Sequence, residues 1–392
     1  MKKVVVAFDS FKGCISAHEA CEAASKGIQT VLPEANVVEI ALSDGGEGLV
    51  KCVQQMLPTQ SVSIDVHGPL MTKLKAEYAM SMDGKTAYME MAAASGLTLV
   101  PIDQRDPTKT TTYGVGEMVA DALKRGCQKI VMGIGGSATC DGGRGMVEAL
   151  RDKGCLDKKI YNNDHVDLRQ KDQECLAQKC KFIVACDVNN PLYGENGAAH
   201  IFAPQKGATK EQVLWLDEQL RTFAKETEQA GLATPELANH PGAGAAGGLG
   251  YALLAYLNAE LNSGIDIVLD LANFDVAIKD ADLVITGEGK SDQQTMMGKV
   301  PHGVLKRCKK AGVPVWLLSG AIDDRTGELA KNFDLVRSIN ENDNRPLSVL
   351  MQPDVAKKNI TAFLSAIFFI YLQIIRTNRN INRTNSRTSS WL

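Results

Sequence analysis

"VITGEGKSD", Val284–Asp292, is the stretch on which the reading of this chain turns. Its end, Gly289-Lys290-Ser291, looks like the tail of a P-loop. A P-loop needs a glycine five positions before Gly289, so that a tight run of backbone N–H groups can wrap phosphates. That position is Val284, inside an apolar run. The stretch therefore reads as a buried strand ending in a tight turn, with Gly287 and Gly289 allowing the bend. Glu288, Lys290 and Asp292 would then act through their side chains.

Working outward, "KVVVAF" (3–8) is a continuous β-branched apolar run, as a parallel strand buried on both faces requires. A helix follows, opened by the capping-box pair Ser16 and Glu19 and closed by Pro33. "NVVEIAL" (36–42) is a second strand, and "DGGEG" (44–48) opens another helix. From about residue 61 the style changes. Two alternating segments flank Asp83-Gly84 as an antiparallel hairpin. A helix (115–125), a strand (129–136), a helix from Gly143 and a strand (181–188) come next. After about residue 275 the first style returns, with strands at 283–287, 313–320 and 335–339. The helix after "GKVP" has Pro301 near its start and Gly312 past its end.

Two early and three late strands make a five-stranded, doubly wound parallel sheet of the flavodoxin-like α/β class, with a second α/β domain inserted into it. The expected boundaries are 1–62 and 276–365 for the flavodoxin-like domain, 63–275 for the insert, and 366–392 for an atypical tail. In this order the ligand crevice lies between the first and third strands, just past Phe8 and Gly287. Residues 366–375 are apolar but too short to span a bilayer as a helix. The acid-free "RTNRNINRTNSRTSSWL" that follows is unlike the rest of the chain and is given no role.

Composition sets outer limits. The 392 residues are 44% hydrophobic and 23% charged, ordinary for a globular protein. A net charge of −3 offers no bulk attraction to nucleic acid or an anionic membrane. The ten cysteines include no Cys-x-x-Cys pair, and "MKKVVVAFDSFKG" lacks a secretory h-region. A cytoplasmic protein with reduced thiols is expected.

Five loops share one character: a strand end, then small residues, then a carboxylate or lysine. "FDSFKG" supplies Asp9, Ser10 and Lys12. "LSDGGEG" supplies Asp44, Gly45, Gly46 and Glu47. "GIGGSATCDGG" supplies Gly135, Gly136, Ser137, Thr139 and Asp141. "ACDVNNP" supplies Asp187, and "TGEGKSD" supplies Glu288, Lys290 and Asp292. Small residues let a ligand approach the backbone, carboxylates hold Mg²⁺, and lysines and helix N-termini attract phosphate. Phosphoryl transfer needs all three, plus one carboxylate to accept the hydroxyl proton. Taken alone, Asp44 or Asp141 would read as a helix cap. Recurrence at five strand ends suggests one cleft between the domains. Asp9, Lys12, Asp187, Glu288 and Asp292 are the catalytic candidates, with Asp187, Glu288 and Asp292 as metal candidates; the remaining residues of these loops bind substrate or nucleotide. Which carboxylate is the base stays open. A nicotinamide-dependent dehydrogenase is disfavoured, because "DSFKG" stands where Gly-x-Gly-x-x-Gly would follow the first strand. A protein that only binds nucleotide or metabolite would need no carboxylate at five loop ends.

These segments, with "DGKTAYMEMAAASGL", "RDP", "TTYGVGE", "GENGAA", "FAPQKGA", "PGAGAAGGLG", "GIDIVLD" and "GKVPHGV", resemble the bacterial type I glycerate kinase family in order from residue 3 to about 320. The resemblance implies a flavodoxin-like domain with an inserted α/β domain. It also implies ATP-dependent, Mg²⁺-requiring phosphorylation of D-glycerate, to 2-phosphoglycerate more than to 3-phosphoglycerate. Another small hydroxy acid is the alternative acceptor, and a homo-oligomer is compatible with the pattern. Phe8, Cys140 and Arg144 depart from family preferences beside the site, and 151–180 is shorter and more polar than usual.

Overall fold

The computed structural model describes residues 2–43, 48–157 and 175–388. The chain divides into two compact units, Met1–Asp44 with Val268–Leu392, and Gly45–Ile267. In chain order the strands are β1 (Lys3–Phe8) and β2 (Asn36–Ala41); β3 (Thr59–His67), β4 (Lys73–Ser81), β5 (Thr86–Glu90), β6 (Lys129–Gly133), β7 (Lys181–Ala185) and β8 (Glu260–Asn262); then β9 (Leu283–Gly287), β10 (Lys290–Ser291), β11 (Val315–Ser319), β12 (Ala321–Ile322) and β13 (Leu335–Ser338).

In the first unit the sheet order is β13-β11-β9-β1-β2, with every pairing parallel. Numbered along the chain these five strands run 2-1-3-4-5, the flavodoxin-like order. The unbroken apolar runs are central strands: Val4 to Phe8 have no exposure, nor have Val284 and Ile285. Phe8 pairs with Gly287 in register, and Asp9 N–H donates to the Gly287 carbonyl at 2.9 Å. Gly287 is required there, because a Cβ would collide with the Leu318 carbonyl on β11. The Ser16–Glu19 capping box forms as read, and Gly312 ends the Val300–Ala311 helix in the left-handed conformation.

The second unit has a six-stranded sheet, β3-β4-β5-β6-β7-β8. The pairings from β3 to β5 are antiparallel and those from β5 to β8 are parallel. The Asp83-Gly84 hairpin forms, with Lys85 N–H donating to Asp83 Oδ1 at 3.0 Å. Strands β6 and β7 end at Gly133 and Ala185, earlier than the sequence suggests. Gly-Gly and Asp-Val-Asn-Asn are poor strand formers, so both chains leave the ladder as loops.

The expected break near residue 366 is not there. One helix runs Pro353–Thr388. Ala356, Ile360, Leu364 and Phe368, four residues apart, bury one stripe in the core that the helix Ala17–Val31 also covers. Thr361 Oγ1 donates to the Ala23 carbonyl at 2.9 Å, and Trp316 packs on Phe368. The segment 366–375 is therefore part of a longer element. Within it Pro353–Gln373 is long and apolar enough to cross a membrane by length and composition. Here its apolar stripe is taken up by the first unit's own core.

Candidate active site

Past the ends of β1 and β9 lies a cavity of about 410 Å³ within the first unit. Asp9, Ser10 and Lys12 enter from β1, and Glu288, Gly289, Lys290 and Asp292 from β9. The seven residues come together because the two strands are neighbours in the sheet. Lys299, at the N-cap of the Val300–Ala311 helix, adds a third lysine. The lining also includes an apolar set, Ile339, Leu347, Leu350, Met351 and Ala356. Leu347 is 67% exposed, so this set presents uncovered apolar surface.

The carboxylates differ in what they already hold. Asp9 is buried and accepts from Ser10 N–H at 2.6 Å. Glu288 is buried, with Oε1 accepting from Thr295 Oγ1 at 2.6 Å and Ser291 Oγ at 3.1 Å. Its Oε2 lies 3.4 Å from Lys299 Nζ. Asp292 caps the next turn, accepting from Gln294 N–H at 2.9 Å. Lys290, more exposed, stands between Asp292 at 3.7 Å and Asp323 at 3.9 Å. Lys12 is exposed.

The remaining candidates belong to the second unit. Asp187 lies two residues past β7 and accepts from Gly264 N–H at 2.8 Å, at the start of the Gly264–Leu271 helix. Gly135, Gly136, Ser137, Thr139 and Asp141 follow β6, the neighbouring parallel strand. Gly135 and Gly136 are exposed, and Ser137 and Thr139 are buried. Asp141 is engaged within its own unit: it accepts from Thr112 N–H and Thr112 Oγ1, both at 2.8 Å, and from Gly143 N–H and Gly145 N–H. Asp44, Gly45, Gly46 and Glu47 lie outside the described residues, as does most of 151–180.

The three positions that depart from family preference are all accommodated. Phe8 is fully buried, its ring 6.1 Å from that of Phe11. Cys140 is buried, and that burial pushes its thiol up to about 11. The Arg144 guanidinium sits over the Phe223 ring and pairs with Glu226 at 2.9 Å.

Sequence reasoning missed Lys299 and the apolar wall. The "GKVP" signal was read for its proline alone, yet a lysine at a helix N-cap beside a carboxylate turn is also a phosphate-binding pattern.

The residues present suit a nucleoside triphosphate in part. Apolar side chains and three lysines lining one cavity match a flat base joined to phosphates. For the metal the fit is narrower. Among the described residues no three His, Cys, Asp or Glu side chains form a group able to hold an ion. Mg²⁺ commonly takes one or two carboxylates plus phosphate oxygens and water, and the cavity carboxylates meet that lesser demand.

Comparison with known proteins decides the family. The model of the glycerate kinase family matches residues 4–371. The chain belongs to the glycerate kinase family. Membership makes it a phosphotransferase with an alcohol group as acceptor. It is 46% identical to a glycerate kinase of Halalkalibacterium halodurans, over 82% of this chain and 86% of that protein. It is 43% identical to the glycerate 2-kinase of Escherichia coli, over 86% and 90%. A crystal structure assigned to glycerate kinase 2 from Salmonella typhimurium LT2 superposes with a TM-score of 0.78 at 36% identity, covering 96% of this chain and 99% of that one. The family match includes residues 366–371, in keeping with the buried Phe368.

Proposed function

We propose that this glycerate kinase family member transfers the terminal phosphate of ATP to D-glycerate and makes 2-phosphoglycerate rather than 3-phosphoglycerate. One observation carries the reading: carboxylates and lysines from the ends of two adjacent central strands meet in one cavity with an apolar wall. The Escherichia coli relative's description as a glycerate 2-kinase supports the 2-position.

In this reading the apolar wall of Leu347, Leu350 and Met351 receives the base, and Lys12, Lys290 and Lys299 hold phosphate oxygens. Glu288 keeps Lys299 in place and orders the turn through Ser291 and Thr295. Asp9 and Asp292 take the hydroxyl proton or meet the metal. Mg²⁺, bound with ATP, supplies charge neutralisation of the phosphates.

The test is ADP release with and without D-glycerate, coupled to enolase. Enolase consumes 2-phosphoglycerate directly, and 3-phosphoglycerate only after a mutase is added. ADP release independent of D-glycerate would refute the activity. A signal that depends on the mutase would refute the position.

A further inference from the structure

Lys206 is a lysine with only 3% exposure, at the end of the short Pro204–Lys206 turn. Its Nζ donates to Ser137 Oγ at 2.6 Å and to the Thr139 carbonyl at 2.7 Å. It has no carboxylate within ion-pair distance among the described residues. Burying an ammonium without an opposite charge is costly, and an apolar side chain would fill the space at less cost.

The ammonium braces a loop that is pinned elsewhere too. Leu97 N–H donates to the Gly136 carbonyl at 2.8 Å, and Ala138 N–H to the Ser95 carbonyl at 2.9 Å. Thr110 Oγ1 donates to the Ala138 carbonyl at 2.9 Å. Gly135 and Gly136 are exposed residues, and these bonds leave their N–H groups without a partner among the described residues. Thr139 Oγ1, on the same loop, is fully buried and also has none. The loop therefore combines a fixed shape, unused donors and a positive charge directly behind it.

We propose that Lys206 is a positioning residue: through Ser137 and Thr139 it fixes the loop after β6 and lends it positive charge, so that the Gly135 and Gly136 N–H groups receive the carboxylate of the acceptor alcohol. The proposal rests on the functional reading above and adds what selects an acid over a neutral alcohol. Burial draws the Lys206 ammonium down to about 8, while Cys140 and Asp141, facing it from the loop, oppose that shift. The charge is therefore present at neutral pH and is lost as pH rises through that value.

The experiment compares wild type with Lys206→Met, each first shown to be folded by circular dichroism. KM is measured for ATP, for D-glycerate and for the neutral amide of D-glycerate. Lys206→Met is expected to raise the D-glycerate KM on the order of 10-fold or more, leave the ATP KM within about 2-fold, and narrow the preference for acid over amide. In wild type the D-glycerate KM should rise as pH passes 8, and in Lys206→Met it should not. An unchanged acid preference, or equal changes in both KM values, would overturn the proposal. If Lys206→Met does not fold, the wild-type profile decides: a D-glycerate KM flat from pH 7 to 9.5 overturns it. Absence of any D-glycerate-dependent turnover in wild type would instead overturn the functional reading beneath it.

Discussion

Glu288 Oε2 lies 3.4 Å from Lys299 Nζ, and this pair joins the turn after β9 to the start of the next helix. Glu288 is 6% exposed, and its other oxygen accepts two hydroxyl hydrogen bonds. A buried carboxylate with this many partners organises its neighbours first.

Glu288→Gln should therefore have two effects. Loss of the charge leaves Lys299 without its partner and weakens two charge-assisted bonds, at a cost of about 1–3 kcal/mol in stability. Turnover should fall on the order of 10²-fold, with kcat and kcat/KM dropping together as lost transition-state stabilisation requires. Denaturant unfolding and steady-state kinetics check both; a folded variant with near-normal kcat would show that the turn is not used in the reaction.

Asp292→Asn separates charge from structure. Asparagine caps a helical turn about as well as aspartate, so stability should change by less than ~0.5 kcal/mol. A kcat loss of about 10²-fold then reports the missing charge in the reaction itself. Unchanged kcat would leave Asp292 as a cap and nothing more.

Excess chelator should abolish turnover, and added Mg²⁺ should restore it. Because no three-carboxylate group exists among the described residues, Mg²⁺ alone should bind far more weakly than Mg²⁺ with ATP. Calorimetric titration with and without nucleotide checks this. Full turnover without divalent ion, or tight binding of the ion alone, would contradict it.

Lys206 gives a pH dependence of stability with a definite sign. Its ammonium titrates near 8 in the folded protein and at the ordinary 10.5 in the unfolded chain. Between those values the unfolded chain binds more protons, so stability rises with pH across the window and levels off above it. Measured as wild type minus Lys206→Met, the gain should be on the order of 3 kcal/mol between pH 8 and 10.5. A difference that is flat or falling over this range would show that the ammonium is not buried as described.

Gly27→Ala should reverse the usual helix rule. Alanine normally stabilises a helix interior by about 1 kcal/mol over glycine. Here a Cβ at Gly27 would lie 2.6 Å from the Thr361 carbonyl and 3.1 Å from Leu364 Cβ. The two helices would have to separate, at a cost of about 1–3 kcal/mol. A variant that melts at or above the wild-type temperature would show that they are not in this contact.

The central strands were legible because burial on both faces leaves an unbroken apolar run, as in β1 and β9. Their adjacency followed from strand order, and with it the meeting of Asp9 and Glu288. The edge strand β3 was not legible, since only Val62 and Val66 of its nine residues are buried. Leu347 and Met351 carry no periodic signal. They reach the cavity only because the chain returns to it more than fifty residues after Glu288. Asp141 and Asp292 show a different limit. A carboxylate after small residues at a strand end is the pattern of a ligand and of a cap alike, and only the partners tell them apart.

The pairing of Phe8 with Gly287 also bears on how the protein is born. β1 leaves the ribosome first but cannot gain its β9 neighbour until almost three hundred residues have been made, on the order of tens of seconds of synthesis. Closing so long a loop is slow and exposes an apolar strand meanwhile. The intervening Gly45–Ile267 unit is continuous and can fold while that strand waits. The nascent N-terminus is then an adhesive edge that a chaperone or the growing chain must shield. Truncation between Ile267 and β9 should yield a soluble second unit trailing an unfolded, aggregation-prone leader.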